Sequence, residues 1–166
     1  MNTKKYILIF IVFAFLPLAC WAQKINTISL TTRSSTSFDL SAITVAGGHT
    51  ATIVNNTQWL NYTIRDNSGT LYTIQASTSS CTIPPGIEIH VELGPFYGTG
   101  QGGQSTGSKL ISSVPTVLVN NMGEGVTGIG QACGHNVILS IGIADFALLH
   151  PGNYPLTIQY TLTAQF

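Results

Sequence analysis

The sequence predicts an all-β, immunoglobulin-like antiparallel β-sandwich with a long C-terminal strand, and three observations carry that prediction. First, residues 154–166 place Tyr154, Leu156, Ile158, Tyr160, Leu162, Ala164 and Phe166 on one parity, and Pro155, Thr157, Gln159, Thr161, Thr163 and Gln165 on the other. Side chains alternate across a strand, so this segment has one buried face and one wet face. At ~3.3 Å per residue it would run ~40 Å, about twice an ordinary strand. Second, apolar residues recur at helical spacing nowhere over a useful length; the nearest case, 144–150, is stopped by Pro151-Gly152. Third, turn residues return at short intervals, which favours a sandwich of roughly seven to nine strands over a parallel α/β fold.

The elements follow in order. Lys4 and Lys5 head an apolar run over 6–18, and Cys20-Trp21-Ala22 places small residues for cleavage before Gln23. Residues 1–22 therefore read as a signal peptide, with lipidation at Cys20 as the rival reading. The chain is expected to be exported to the periplasm, the cell surface or the medium, with no transmembrane segment after the leader. Residues 23–37 form an N-terminal extension or first strand, and 38–166 the sandwich domain. Phe38, Leu40, Ile43 and Val45 mark a strand over 38–46, with a parity change near Ala42, and 49–54 follows through Gly47-Gly48. Residues 59–65 are aromatic and β-branched, Asp66-Asn67-Ser68-Gly69 is a strong turn, and 70–76 is expected to return antiparallel as a hairpin. Ile87, Ile89, Val91 and Leu93 alternate with Glu88, His90 and Glu92 after Pro84-Pro85-Gly86. Further strands are expected over 116–120 and 137–143.

Composition narrows the function. Lys4 and Lys5 aside, four Lys/Arg face six Asp/Glu, a net charge of −2. So sparse a charge gives no electrostatic reason to bind nucleic acid. It also removes a usual defence against association through strand edges. Beyond Cys20 there are two cysteines, Cys81 and Cys133. In an oxidising compartment they read as one disulfide, worth ~4 kcal/mol by loop entropy.

No catalytic constellation, cofactor motif or metal-ligand spacing stands out, so the reading is non-enzymatic, with no cofactor and no metal. Gly98-Thr99-Gly100 lacks the helix and Lys-Ser/Thr pair of a phosphate cradle. Glu88 and Glu92 share the polar face of one strand, as solvated charges do. His49, His90, His135 and His150 are scattered and read as surface or turn residues. Asn55-Asn56-Thr57 and Asn61-Tyr62-Thr63 match the N-glycosylation acceptor pattern. Trp59 falls on the more polar parity of its strand and reads as packed under a loop or, alternatively, as a sugar platform.

Residues 94–108 hold six glycines around Phe96 and Tyr97. They form either an exposed loop, with Phe96, Tyr97, Gln101 and Gln104 as a possible binding surface, or a glycine-rich hairpin laid on the sandwich by its aromatics. Residues 122–135 are a second glycine-rich stretch.

Pro151-Gly152-Asn153-Tyr154 and the alternating row after it resemble the final strand of chaperone–usher pilus subunits, in the style of their spore-coat-U-like branch. In that family a glycine precedes a last strand of alternating apolar residues ending in an aromatic; Gly152, fourteen positions before Phe166, fits. The resemblance implies an exported structural or adhesive subunit assembling by β-strand addition. Its partners would be a periplasmic chaperone and other β-sandwich subunits, and Tyr154, Leu156, Ile158, Tyr160, Leu162 and Phe166 its assembly strand. Within 23–37 only Ile28 and Leu30 share a parity, a poor donor pattern. The Trp59-Leu60-Asn61-Tyr62-Thr63, Gly98–Gly103 and Gly128-Ile129-Gly130 segments also resemble a group of uncharacterised secreted bacterial proteins. The alternative function is a self-complete secreted domain that binds a glycan or a host or cell-surface protein.

Overall fold

The computed structural model describes residues 25–31, 38, 53–79, 83–150 and 152–165. The signal-peptide reading of 1–22, the 38–46 strand beyond Phe38, Cys81 and Phe166 lie outside them, and so does 49–54 up to Ile53.

The longest strand, β2 (Ile53–Arg65), organises one sheet. Leu60, Tyr62 and Ile64 bury one of its faces. β1 (Ile25–Thr31) lies antiparallel along one edge, from Ile25 opposite Arg65 to Thr31 opposite Trp59. The other edge takes β10 (Gly134–Ile143), which in turn pairs with β4 (Ile87–Tyr97). Inward parity on these strands falls on Ile89, Val91, Leu93 and Phe96, and on His135, Val137 and Leu139; a bulge in β4 between Leu93 and Phe96 keeps the aromatic ring inside. Short pieces complete this sheet: β5 (Thr99–Gly100), β7 (Lys109–Leu110) and β9 (Gly125–Val126).

The second sheet runs β11–β3–β8–β6, with β3 (Tyr72–Thr78), β6 (Gln104–Ser105), β8 (Thr116–Met122) and β11 (Ile158–Ala164). Tyr72, Ile74, Ala76, Leu118, Val119 and Met122 face Leu60, Tyr62, Ile64, Val91 and Leu93 across one core. Register shifts along β8 let the consecutive Leu118 and Val119 both be buried. The all-β sandwich expected from the sequence is thus the fold, with eleven strands among the described residues. The 144–150 stretch holds only a 3₁₀ turn, Phe146–Leu148, capped by Asp145.

Two local expectations change. The 59–65 and 70–76 segments are not a hairpin. β2 and β3 belong to opposite sheets, and the 66–71 turn arches over the core. Both strands carry full inward rows, and those rows can face each other only from opposite sheets. Asp66 fixes the arch: its carboxylate accepts from Ser68 Oγ at 2.6 Å and from the Tyr72 hydroxyl, and Asn26 Nδ2 donates to the same hydroxyl oxygen at 3.0 Å. Tyr72→Phe removes this link between β1, the arch and β3. It is expected to cost about 1–2 kcal/mol in denaturant unfolding. A loss below a few tenths would show that the arch does not depend on it.

The C-terminal strand is also shorter than the thirteen-residue row. It begins at Ile158, because Pro155 has no N–H to give a ladder. Tyr154 is 46% exposed and folds back, its hydroxyl donating to His150 O at 2.8 Å.

Candidate functional site

β11 stands at the edge of its sheet, with β3 as its one strand partner among the described residues. Its register is unbroken from Ile158 opposite Thr78 to Ala164 opposite Tyr72. Ser79 N donates to Thr157 O at 3.0 Å and Gln165 N to Leu71 O at 2.7 Å, bracketing the strand. In an antiparallel ladder a residue's N–H and C=O point to the same side. Odd positions Gln159, Thr161 and Thr163 therefore bond to β3, and even positions Ile158, Tyr160, Leu162 and Ala164 turn their amides to the open edge. The same even residues send their side chains inward, packing on the core. The strand carries no charge, no proline and no bulge, the usual devices that blunt an edge.

Beside this edge runs a cleft of about 190 Å³ lined by Ile28, Ser29, Leu60, Ile158 and Tyr160. It opens between β1, at the edge of one sheet, and β11, at the edge of the other. Ile28 is the β1 side chain that packs on the core. Of the sequence-predicted assembly residues, Ile158, Tyr160 and Leu162 gather here, Tyr154 and Leu156 precede the strand, and Phe166 lies outside the described residues.

Burial raises the phenols of Tyr160 and Tyr62 well above their usual value near 10. A group whose folded pKa is raised contributes stability that is complete below the unfolded value and is lost as pH climbs above it. The melting temperature should therefore hold up to pH about 10 and fall beyond it, with two phenolate signals appearing only on unfolding. Ionisation of every tyrosine together, with the fold intact, would contradict this.

The second predicted group, Phe96, Tyr97, Gln101 and Gln104, is not gathered on one surface. Phe96 points inward and stacks with Tyr62, centroids 6.0 Å apart. Gly102 lies against its ring, where a Cβ would overlap the ring carbons. Gln101 is tied down by its Nε2 donating to Asn121 O at 2.9 Å and its N to Glu124 O at 2.8 Å. Gln104 sits in β6, in the other sheet from Tyr97. Residues 94–108 are thus laid on the sandwich by an aromatic, crossing from one sheet to the other.

The sequence reading put His135 at the surface or in a turn, whereas it is 2% exposed, because it continues the inward row of β10. Its Nδ1 is 2.7 Å from Gly94 O, and its Nε2 is 3.2 Å from Gly102 O and 3.3 Å from the Tyr62 hydroxyl. This ring ties the start of the glycine-rich segment, at Gly94, to its middle, at Gly102. Its signal was present in the sequence, since the inward parity of Val137 and Leu139 extends back to it.

Asn61 is buried, its Nδ2 donating to Cys133 O at 2.7 Å and its Oδ1 accepting from Gly130 N at 3.2 Å, so its acceptor pattern is inaccessible. Cys133 is half-buried and its thiol is free; the disulfide expected from the sequence has no support here, its other half, Cys81, lying outside the described residues. Among the described residues no three His, Cys, Asp or Glu cluster to hold a metal ion, and no helix is long and apolar enough to cross a membrane. No protein-family profile, curated protein or solved structure matches the chain.

Proposed function

We propose that this is an exported, non-enzymatic structural or adhesive subunit that joins other β-sandwich chains by strand addition at β11. The supporting observation is the pairing of two rows on one strand: outward amides on Ile158, Tyr160, Leu162 and Ala164, and their apolar side chains beneath, beside an open cleft. An incoming strand gains backbone hydrogen bonds from the first row and pockets for alternate side chains from the second. A periplasmic chaperone would cover the same edge before assembly, which agrees with the leader-like 1–22. A second reading, a self-complete secreted binding domain, is favoured by β1, which pairs with β2 of its own chain.

Assembly state separates the two. The exported chain is produced in a bacterial periplasm without companion proteins and followed by size exclusion and thermal melting. Strand-exchanged oligomers, or aggregation relieved by a peptide of residues 23–37, support strand addition. A monomer with one cooperative transition at every concentration supports the self-complete domain.

A further inference from the structure

A second surface lies on the outward face of the other sheet, independent of β11. Trp59 and Tyr97 flank the inward-pointing Leu60 and Phe96 in β2 and β4, so alternation turns both toward solvent. The register sets Trp59 opposite Asn136 and Tyr97 opposite Gly134, placing the two rings diagonally across β10. Their centroids are 5.6 Å apart at 73°, an edge-to-face pair. Neither ring belongs to the buried core or its packed margin, and Tyr97 is 50% exposed.

The surroundings are bare and polar. Gly94 stands across from Asn136 at the β4 bulge, where an added Cβ would meet the Cβ and carbonyl oxygen of Asn136 at 3.6 Å, and as a glycine it raises no side chain there. Asn136 Nδ2 donates to Asn56 O at 2.7 Å and Gln58 O at 3.1 Å. Those bonds orient the amide and leave Oδ1 to accept from outside. Thr57 Oγ1 donates to Asn55 Oδ1 at 3.0 Å and keeps its lone pairs. Farther along the same face Glu92 adds a carboxylate acceptor, two strand positions from Asn136 in register.

We propose that the Trp59–Tyr97 pair and Asn136 form a binding platform for a neutral polysaccharide, one whose flat pyranose rings carry equatorial hydroxyls. The apolar C–H face of such a ring matches an exposed aromatic, and its hydroxyls match the amide and carboxylate acceptors. Among the described residues the Lys and Arg are Arg65, opposite Ile25, and Lys109, opposite Val91, neither in register with these rings, so an anionic chain would meet Glu92 there instead. A protein partner would call for a wider apolar patch than two rings and Ile138, which stands opposite Glu92 on this face, set among amides and glycines.

The test is direct, because Trp59 is the only tryptophan outside the 1–22 leader. Cellohexaose and xylohexaose are titrated into the exported chain while tryptophan emission is recorded. Affinity electrophoresis runs alongside in gels holding hydroxyethyl cellulose, xylan, mixed-linkage β-glucan or galactomannan. The expected result is a saturable emission shift with at least one oligosaccharide and retardation in the matching gel. Tyr97→Ala should weaken binding about tenfold at an unchanged melting temperature. Phe146→Ala, an exposed aromatic elsewhere, should bind as the parent does. Absence of any shift and of any retardation overturns the proposal, and so does retardation undiminished by Tyr97→Ala or by Trp59→Ala.

Discussion

Tyr160→Pro and Ile158→Pro should each abolish assembly while leaving a folded chain. Both positions turn their N–H to the open edge of β11, so proline removes a donor meant for an incoming strand and spares the ladder to β3. Ile158 lies at the strand start, where proline is best tolerated, and is the cleaner of the two. Thr161→Pro supplies the contrast: its N–H belongs to the β3 ladder, and losing it should cost about 1–3 kcal/mol of stability. Size exclusion and thermal melts on the three variants read both effects. Oligomers that persist in both Ile158→Pro and Tyr160→Pro would exclude strand addition at this edge.

Gly134→Ala should be the most damaging small substitution in the described chain. Gly134 has φ 79°, and a Cβ there would be driven into the carbonyl oxygen of Leu60 in β2, with Asn61 Cα at 3.3 Å. Backbone cannot yield as a side-chain tip does, so left-handed strain and overlap add. A loss of about 3 kcal/mol, near 10 °C in melting temperature, is expected. Gly69→Ala has a similar φ of 73° but open space around the new methyl group, and should cost about 1 kcal/mol. Equal losses at the two sites would mean that the β2–β10 approach is not tight. The position matters because it sends His135 inward and sets Tyr97 opposite a residue without a side chain.

Strand parity was the most legible part of the sequence. The rows through Ile89, Val91 and Leu93, through Val137 and Leu139, and through Ile158, Tyr160 and Leu162 all point inward in the structure. Connectivity was not legible. Asp66-Asn67-Ser68-Gly69 announces a turn, but the same turn chemistry serves a hairpin within one sheet and an arch between two. The choice is made by packing, through Tyr72 reaching Asp66 and the two inward rows meeting across the core. The glycine-rich segments hid β5, β6 and β9 because glycines carry no parity. Gly100 and Gly103 have positive φ, and Gly102 makes room for the Phe96 ring, none of which periodicity encodes. At the candidate site the apolar row of β11 was readable, whereas the direction of its amides was not: that depends on which flank β3 occupies.

Amide hydrogen exchange along β11 tests strand addition most directly. In the free chain the amides of Gln159, Thr161 and Thr163 should be protected by β3, and those of Tyr160, Leu162 and Ala164 should exchange rapidly. On assembly the second set should become protected while the first stays as it was. Protection of Tyr160, Leu162 and Ala164 in the monomer, or no gain on assembly, would contradict the account.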